Sequence, residues 1–132
     1  MWVDYIENSK ALETVFKGSF PELEQISIFD VKLQFCIELQ LQLGVKINQL
    51  PIEKPKKWNS KGVNNVCLII CFIDVHIEKF NDISSSYANV SIAIERNTDG
   101  LNRVNFIDKD NNVLMAFTAR WIELLKMIGV SE

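Results

Sequence analysis

Apolar and polar positions alternate with period two from Val31 to Leu43. Val31, Leu33, Phe35, Ile37, Leu39, Leu41 and Leu43 are apolar, with Lys32, Gln34, Cys36, Glu38, Gln40 and Gln42 between them. This is the pattern of a strand with one dry and one wet face. Ile26 and Ile28 sit on the opposite parity, so a bulge or bend near Phe29-Asp30 must exchange the faces. The run from Glu24 to Leu43 is long enough for two strands, yet no Gly, Pro or Asn inside it marks a turn.

A second stretch, Asn64 to Ile77, behaves differently. It is apolar at every position from Val66 to Ile73, rich in β-branched residues, and lacks a polar stripe. A strand with one solvated face would alternate, so this one is expected to be covered on both faces. It is too short, and too interrupted by Asp74 and His76, to cross a membrane. Val90, Ile92 and Ile94 alternate again. Asn97-Thr98-Asp99-Gly100 is a turn signal, Leu101 to Ile107 returns as a partner strand, and Asp108 to Asn112 turns once more before Val113 to Arg120. Trp121 to Gly129 fits a strand face through Trp121, Glu123, Leu125 and Met127, or a helical stripe through Ile122, Leu125, Met127 and Ile128; the strand is favoured.

Ahead of these strands the chain reads as short helical pieces. Trp2, Tyr5 and Ile6 share one face. Ser9 is a candidate N-cap for Ala11, Leu12, Val15 and Phe16, with Gly18 as the stop and Pro21 barring continuation. Residues 44 to 65 form an irregular connection punctuated by Gly44, Pro51, Pro55 and Gly62. The expected fold is one domain, 1–132, mainly β (α+β). It is an antiparallel sheet or sandwich carrying short N-terminal helical segments, with Asn65 to Ile77 as a doubly buried central strand.

Composition narrows the function. The chain has 132 residues, 48 % hydrophobic, with a formal charge of −3 carried by its C-terminal half. That argues against a dedicated nucleic-acid binder, although Lys54-Pro55-Lys56-Lys57-Trp58 is basic with an aromatic that can stack. The start lacks a basic segment followed by an apolar one. The three cysteines, Cys36, Cys67 and Cys71, suit a reducing compartment. A cytoplasmic protein is expected.

No constellation of catalytic residues stands out. His76, the single histidine, lies about 7 Å along a strand from Asp74 on the same side, without a nucleophile motif. Cys67 and Cys71 would lie about 13 Å apart on a strand, too far for a disulfide or one zinc, and read as inert buried thiols. Asp108 and Asp110 with Asn111 and Asn112 lack the Gly and terminal Glu of a calcium loop and read as a hairpin turn. No enzyme activity, cofactor or metal is expected.

Several features in order resemble a known family. They are Trp2; Phe16 and Gly18 followed by Pro21; the alternating run through Leu43; Pro55 with Lys57-Trp58; Asn65 opening the apolar strand through Phe72 and Val75; and Arg96 followed by Gly100. Together they resemble the immunity-protein family numbered fifty of the bacterial polymorphic-toxin systems. Where that family often has a Gly-containing turn between its first strands, this chain has Gln34-Phe35-Cys36. The resemblance implies a small cytoplasmic protein that binds a cognate toxin protein and occludes its active site, with neither nucleic acid nor membrane as partner. Exposed polar and aromatic loop residues are the expected contacts: Trp58, Asp82, Asp108 and Asp110. The competing reading is a β-rich module that binds a small ligand or serves in assembly.

Overall fold

A computed structural model, describing residues 1–47, 49–81 and 87–132, folds the period-two run into a hairpin. Its strands are β1 (Ile26–Phe35) and β2 (Leu39–Ile47). Phe35 pairs with Leu39, leaving Cys36-Ile37-Glu38 as the connecting loop. The register shifts between Ile28 and Asp30, with Ile28 opposite Val45 and Asp30 opposite Gly44, so Phe29 is the extra residue. This is the bulge that the change of parity demands. It keeps Ile26 and Ile28 facing the same core as Leu41, Leu43 and Val45.

The remaining strands are β3 (Asn65–Phe80), β4 (Tyr87–Arg96), β5 (Asn102–Ile107) and β6 (Val113–Val130). All neighbours are antiparallel and their order is β1-β2-β3-β6-β5-β4. The sheet does not stack as a sandwich. Ile26 opposite Val90 and Ile28 opposite Tyr87 join β1 to β4 and close it into a barrel. Closure removes most free edges, which a two-layer stack would leave open. The segment from Trp121 onward continues β6 as strand, the favoured reading. The β4–β5 turn closes on Gly100 (φ 85°), and Leu101 donates its amide to the Asp99 carboxylate at 3.1 Å.

The interior is filled by side chains. Phe72 and Phe106 each meet Phe117 edge to face, with ring centres 5.1 and 5.8 Å apart. β3 and β6 carry a parity change at the same level: Phe72 opposite Ile122 and Val75 opposite Ala119 are all buried, with Ile73-Asp74 and Arg120-Trp121 between them. Asp74 takes a positive φ of 58° there, a conformation Asp tolerates better than most residues.

The N-terminal pieces close one end. A 3-10 turn (Trp2–Tyr5) and α1 (Lys10–Phe16) bury Trp2, Val3, Leu12 and Phe16. The Trp2 indole donates to the Pro21 carbonyl at 2.8 Å. Asn8 bonds both the amide and the carbonyl of Leu124 at 2.8 Å, on the part of β6 beyond its pairing with β5. α1 ends as the Gly18 signal implied, with the left-handed turn beginning one residue earlier at Lys17 (φ 52°).

Candidate functional site

The residues that sequence reasoning named as contacts lie apart. Trp58 sits on α2 (Lys56–Ser60) in the β2–β3 connection, half-buried, at the end where β6 finishes. A methyl group placed on Gly129 would come 2.8 Å from its indole and 2.9 Å from Val63, so the ring lies against that backbone. Asp108 and Asp110 occupy the β5–β6 turn at the opposite end. The Asp108 carboxylate accepts the amides of Asp110 and Asn112 at 2.9 Å and the Asn112 side-chain amide at 3.2 Å. These bonds, the Asn112 amide foremost, hold its pKa below the usual carboxylate range. Its oxygens are thus occupied in holding the turn, whereas Asp110 is exposed. Asp82 lies outside the described residues.

Asp74 and His76 do come together, with His76 Nε2 3.5 Å from the Asp74 carboxylate. The other Asp74 oxygen accepts Arg120 Nε at 3.0 Å, and the Arg120 guanidinium lies 5.6 Å from the Trp121 ring centre. This is a surface ion network with no nucleophile in it. Among the described residues no group of three or more His, Cys, Asp or Glu is placed to hold a metal, and no helix is long and apolar enough to cross a membrane. Burial raises the pKa of the Cys67 and Cys71 thiols, which disfavours the reactive thiolate.

What the strands build most distinctly is an apolar outer wall. On β3, Val66, Leu68, Ile70 and Phe72 face inward and are fully buried. Cys67, Ile69, Cys71 and Ile73 face outward. The expected cover on this second face is partial: Cys71 is buried, but Cys67, Ile69 and Ile73 are half-exposed. The register sets Trp121 beside Ile73, Lys126 beside Ile69 and Ile128 beside Cys67. Leu125 is the unpaired residue where β6 slips between Ile69 and Ile70. On the other flank the Phe29 ring lies over Gly44, within 2.6 Å of where a methyl there would sit. Phe29 is 56 % exposed, Leu125 and Ile128 47 % and Trp121 43 %.

Beside Phe29 the wall deepens into a groove of about 590 Å³ whose lining includes Ser27, Ile28, Phe29, Lys46, Cys67 and Glu132. Lys46 and Glu132 pair at 2.8 Å. A second apolar feature is the tip of the β1–β2 hairpin. Pairing with β4 stops at Ile28 and pairing of β2 with β3 stops at Gln40, so the dry face of the hairpin runs past the barrel. Leu33 and Phe35, expected to be covered, are exposed, and Ile37 at the loop is 94 % exposed.

Sequence reasoning missed Phe29, Trp121, Leu125 and Ile128. The signal available was the unbroken apolar run of β3, which asks for cover on a face that the described residues cover only in part.

The comparisons with known proteins agree with the resemblance. The family model described as Immunity protein 50 matches residues 8–128. No curated protein and no solved structure matches the chain.

Proposed function

The chain belongs to the immunity protein 50 family, and from that premise we propose that it binds a cognate toxin domain and neutralises it by occluding the active site. The observation that carries this reading is the family match over residues 8–128 of 132. Its setting would be the cytoplasm of a bacterium carrying a polymorphic-toxin system, where the protein protects the producer and its siblings. A fold whose outer surface gathers apolar side chains suits a protein partner. A small-ligand module would need an enclosed apolar cavity, and the barrel interior is occupied by Phe72, Phe106, Phe117 and Leu12.

The test is co-expression with the product of the neighbouring gene. The expected result is relief of that product's toxicity and a one-to-one complex on pull-down. A neighbour that is not toxic, or toxicity that persists alongside soluble immunity protein, overturns the reading. Occlusion has its own arm: the purified toxin should lose turnover as the complex forms, and a complex that stays fully active excludes it.

A further inference from the structure

We propose that the toxin docks on the outer wall of β2, β3 and β6, with Phe29 and Trp121 at its two flanks, and not on the acidic turn or the hairpin tip. This rests on the immunity reading above and adds the surface that carries it.

The wall has the size and make-up of the centre of such an interface. Four strands, counting β1 at Phe29, at about 4.8 Å spacing and the span from Asn65 to Ile73 at about 3.3 Å per residue outline roughly 14 by 26 Å, near 370 Å², a footprint in which Ile69, Ile73, Trp121, Leu125 and Ile128 are the apolar part and Gln42, Lys46, Glu123 and Lys126 the polar part. A standard complex buries about 800 Å² per partner, with an apolar centre inside a polar rim. The wall supplies the centre, and Gln40, Gln42, Lys46, Glu123 and Lys126 stand around or within it on the outward parity. The outline is smaller than the about 800 Å² each partner of a standard complex buries and than the more than about 1,000 Å² per copy of an obligate homodimer, so the toxin is chosen over a second copy on the immunity reading.

The charges on the wall cancel. Lys46 is paired with Glu132 at 2.8 Å and Arg120 with Asp74 at 3.0 Å. Glu123 and Lys126 add one charge of each sign. The wall therefore offers no net field to a basic toxin. It fits a toxin face that is apolar at its centre, with a bulky side chain to enter the groove beside Phe29.

The experiment uses the full chain and the toxin domain encoded by the neighbouring gene, carried as a catalytically inactive variant. Leu125→Glu and Ile128→Lys change half-exposed positions, so they should melt with the wild type. Each is expected to weaken binding by about tenfold or more. Asn105→Lys, on the far wall, and Phe35→Ser, on the hairpin, should stay within about twofold. If the wild type binds and protects while both wall variants bind equally well, the wall inference falls and the immunity reading stands. The wall inference falls likewise if Phe35→Ser alone abolishes binding. If the chain is a dimer that the wall variants split without affecting toxin binding, the wall belongs to a self-interface and the proposal is overturned. A wild type that neither binds nor protects removes both.

Discussion

The two sides of this barrel are both built from antiparallel strands and differ in what they show to the outside. Along β5, Asn102, Val104 and Phe106 are buried, while Arg103 is exposed and Asn105 and Ile107 are half-exposed. Across from them on β4, Ser91, Ala93 and Glu95 take the outward positions. Arg103 bonds Glu78 at 3.0 Å over this surface. That is the alternation expected of an antiparallel sheet with core on one face and water on the other. β3 and the second half of β6 do not alternate. Their outward positions hold Ile69, Ile73, Trp121, Leu125 and Ile128, with Glu123 and Lys126 among them. Both sides need an apolar inner face to fold. The β3–β6 side carries several large apolar residues outside, against the single half-exposed Ile107 on the other, and folding alone gives no reason for them. The contrast separates residues kept for the core from residues available to a partner.

The sharpest way to break that comparison is to truncate neighbours on β3 that point opposite ways. Ile70 is fully buried inside the barrel and Ile69 is half-exposed on the wall. Ile70→Ala should cost about 2–5 kcal/mol, the loss of a methyl-rich side chain plus the cavity left behind. Ile69→Ala should cost under about 1 kcal/mol. Urea unfolding at constant slope reads both. Equal losses would make the outer wall a second core and remove the contrast.

A smaller effect separates the two glycines that support aromatic rings. At Gly129 an added methyl meets the half-buried Trp58 indole and Val63, both closing the barrel end. Gly129→Ala should cost about 1–3 kcal/mol, because the methyl would overlap the buried Val63 and the face of the Trp58 ring system, and one of them must shift. At Gly44 the obstacle is the far edge of the Phe29 ring, which is 56 % exposed and can swing outward. Gly44→Ala should cost under about 1 kcal/mol yet weaken toxin binding, since it lifts Phe29 off the wall. Melting temperatures and pull-down strength together test this. A Gly44→Ala protein that loses stability and keeps full binding would place Phe29 in the structure and not in the interface.

Much of this architecture was legible in residue order. The parity clash between Ile28 and Val31 announced the Phe29 bulge, and Asp99-Gly100 announced the β4–β5 turn. Two things were not legible. The hairpin turn at Cys36-Ile37-Glu38 contains none of the usual turn residues, so alternation ran through it unbroken. Barrel closure depends on the short β1–β4 seam at Ile26 and Ile28, a pairing of distant segments that no local pattern encodes. The contact candidates were chosen from loops by polarity, and such a rule cannot see a surface assembled from the outward positions of several strands. It also could not tell that the Asp108 carboxylate is already engaged.

The smallest effect concerns that turn, which joins the ordinary side of the barrel to β6. Asp108 has its pKa lowered by the hydrogen bonds it accepts, so folding favours the carboxylate. The sign follows: the contribution is complete above the unfolded value of about 3.9 and is lost as pH falls through the lower folded value. Asp108 lies at the surface, so solvent screens the effect and only a small shift is expected. Asp108→Ala should lower the melting temperature by no more than a few degrees at pH 7, and the gap to wild type should narrow as pH drops from about 4 toward 2. Asp110→Ala, whose carboxylate takes no part in the turn's hydrogen bonds among those described, should leave the melting curve unchanged at both pH values. Neither variant should alter toxin binding. If Asp110→Ala weakens binding as strongly as Leu125→Glu, the partner reaches the acidic end of the barrel, and the apolar wall is at most half of what it contacts.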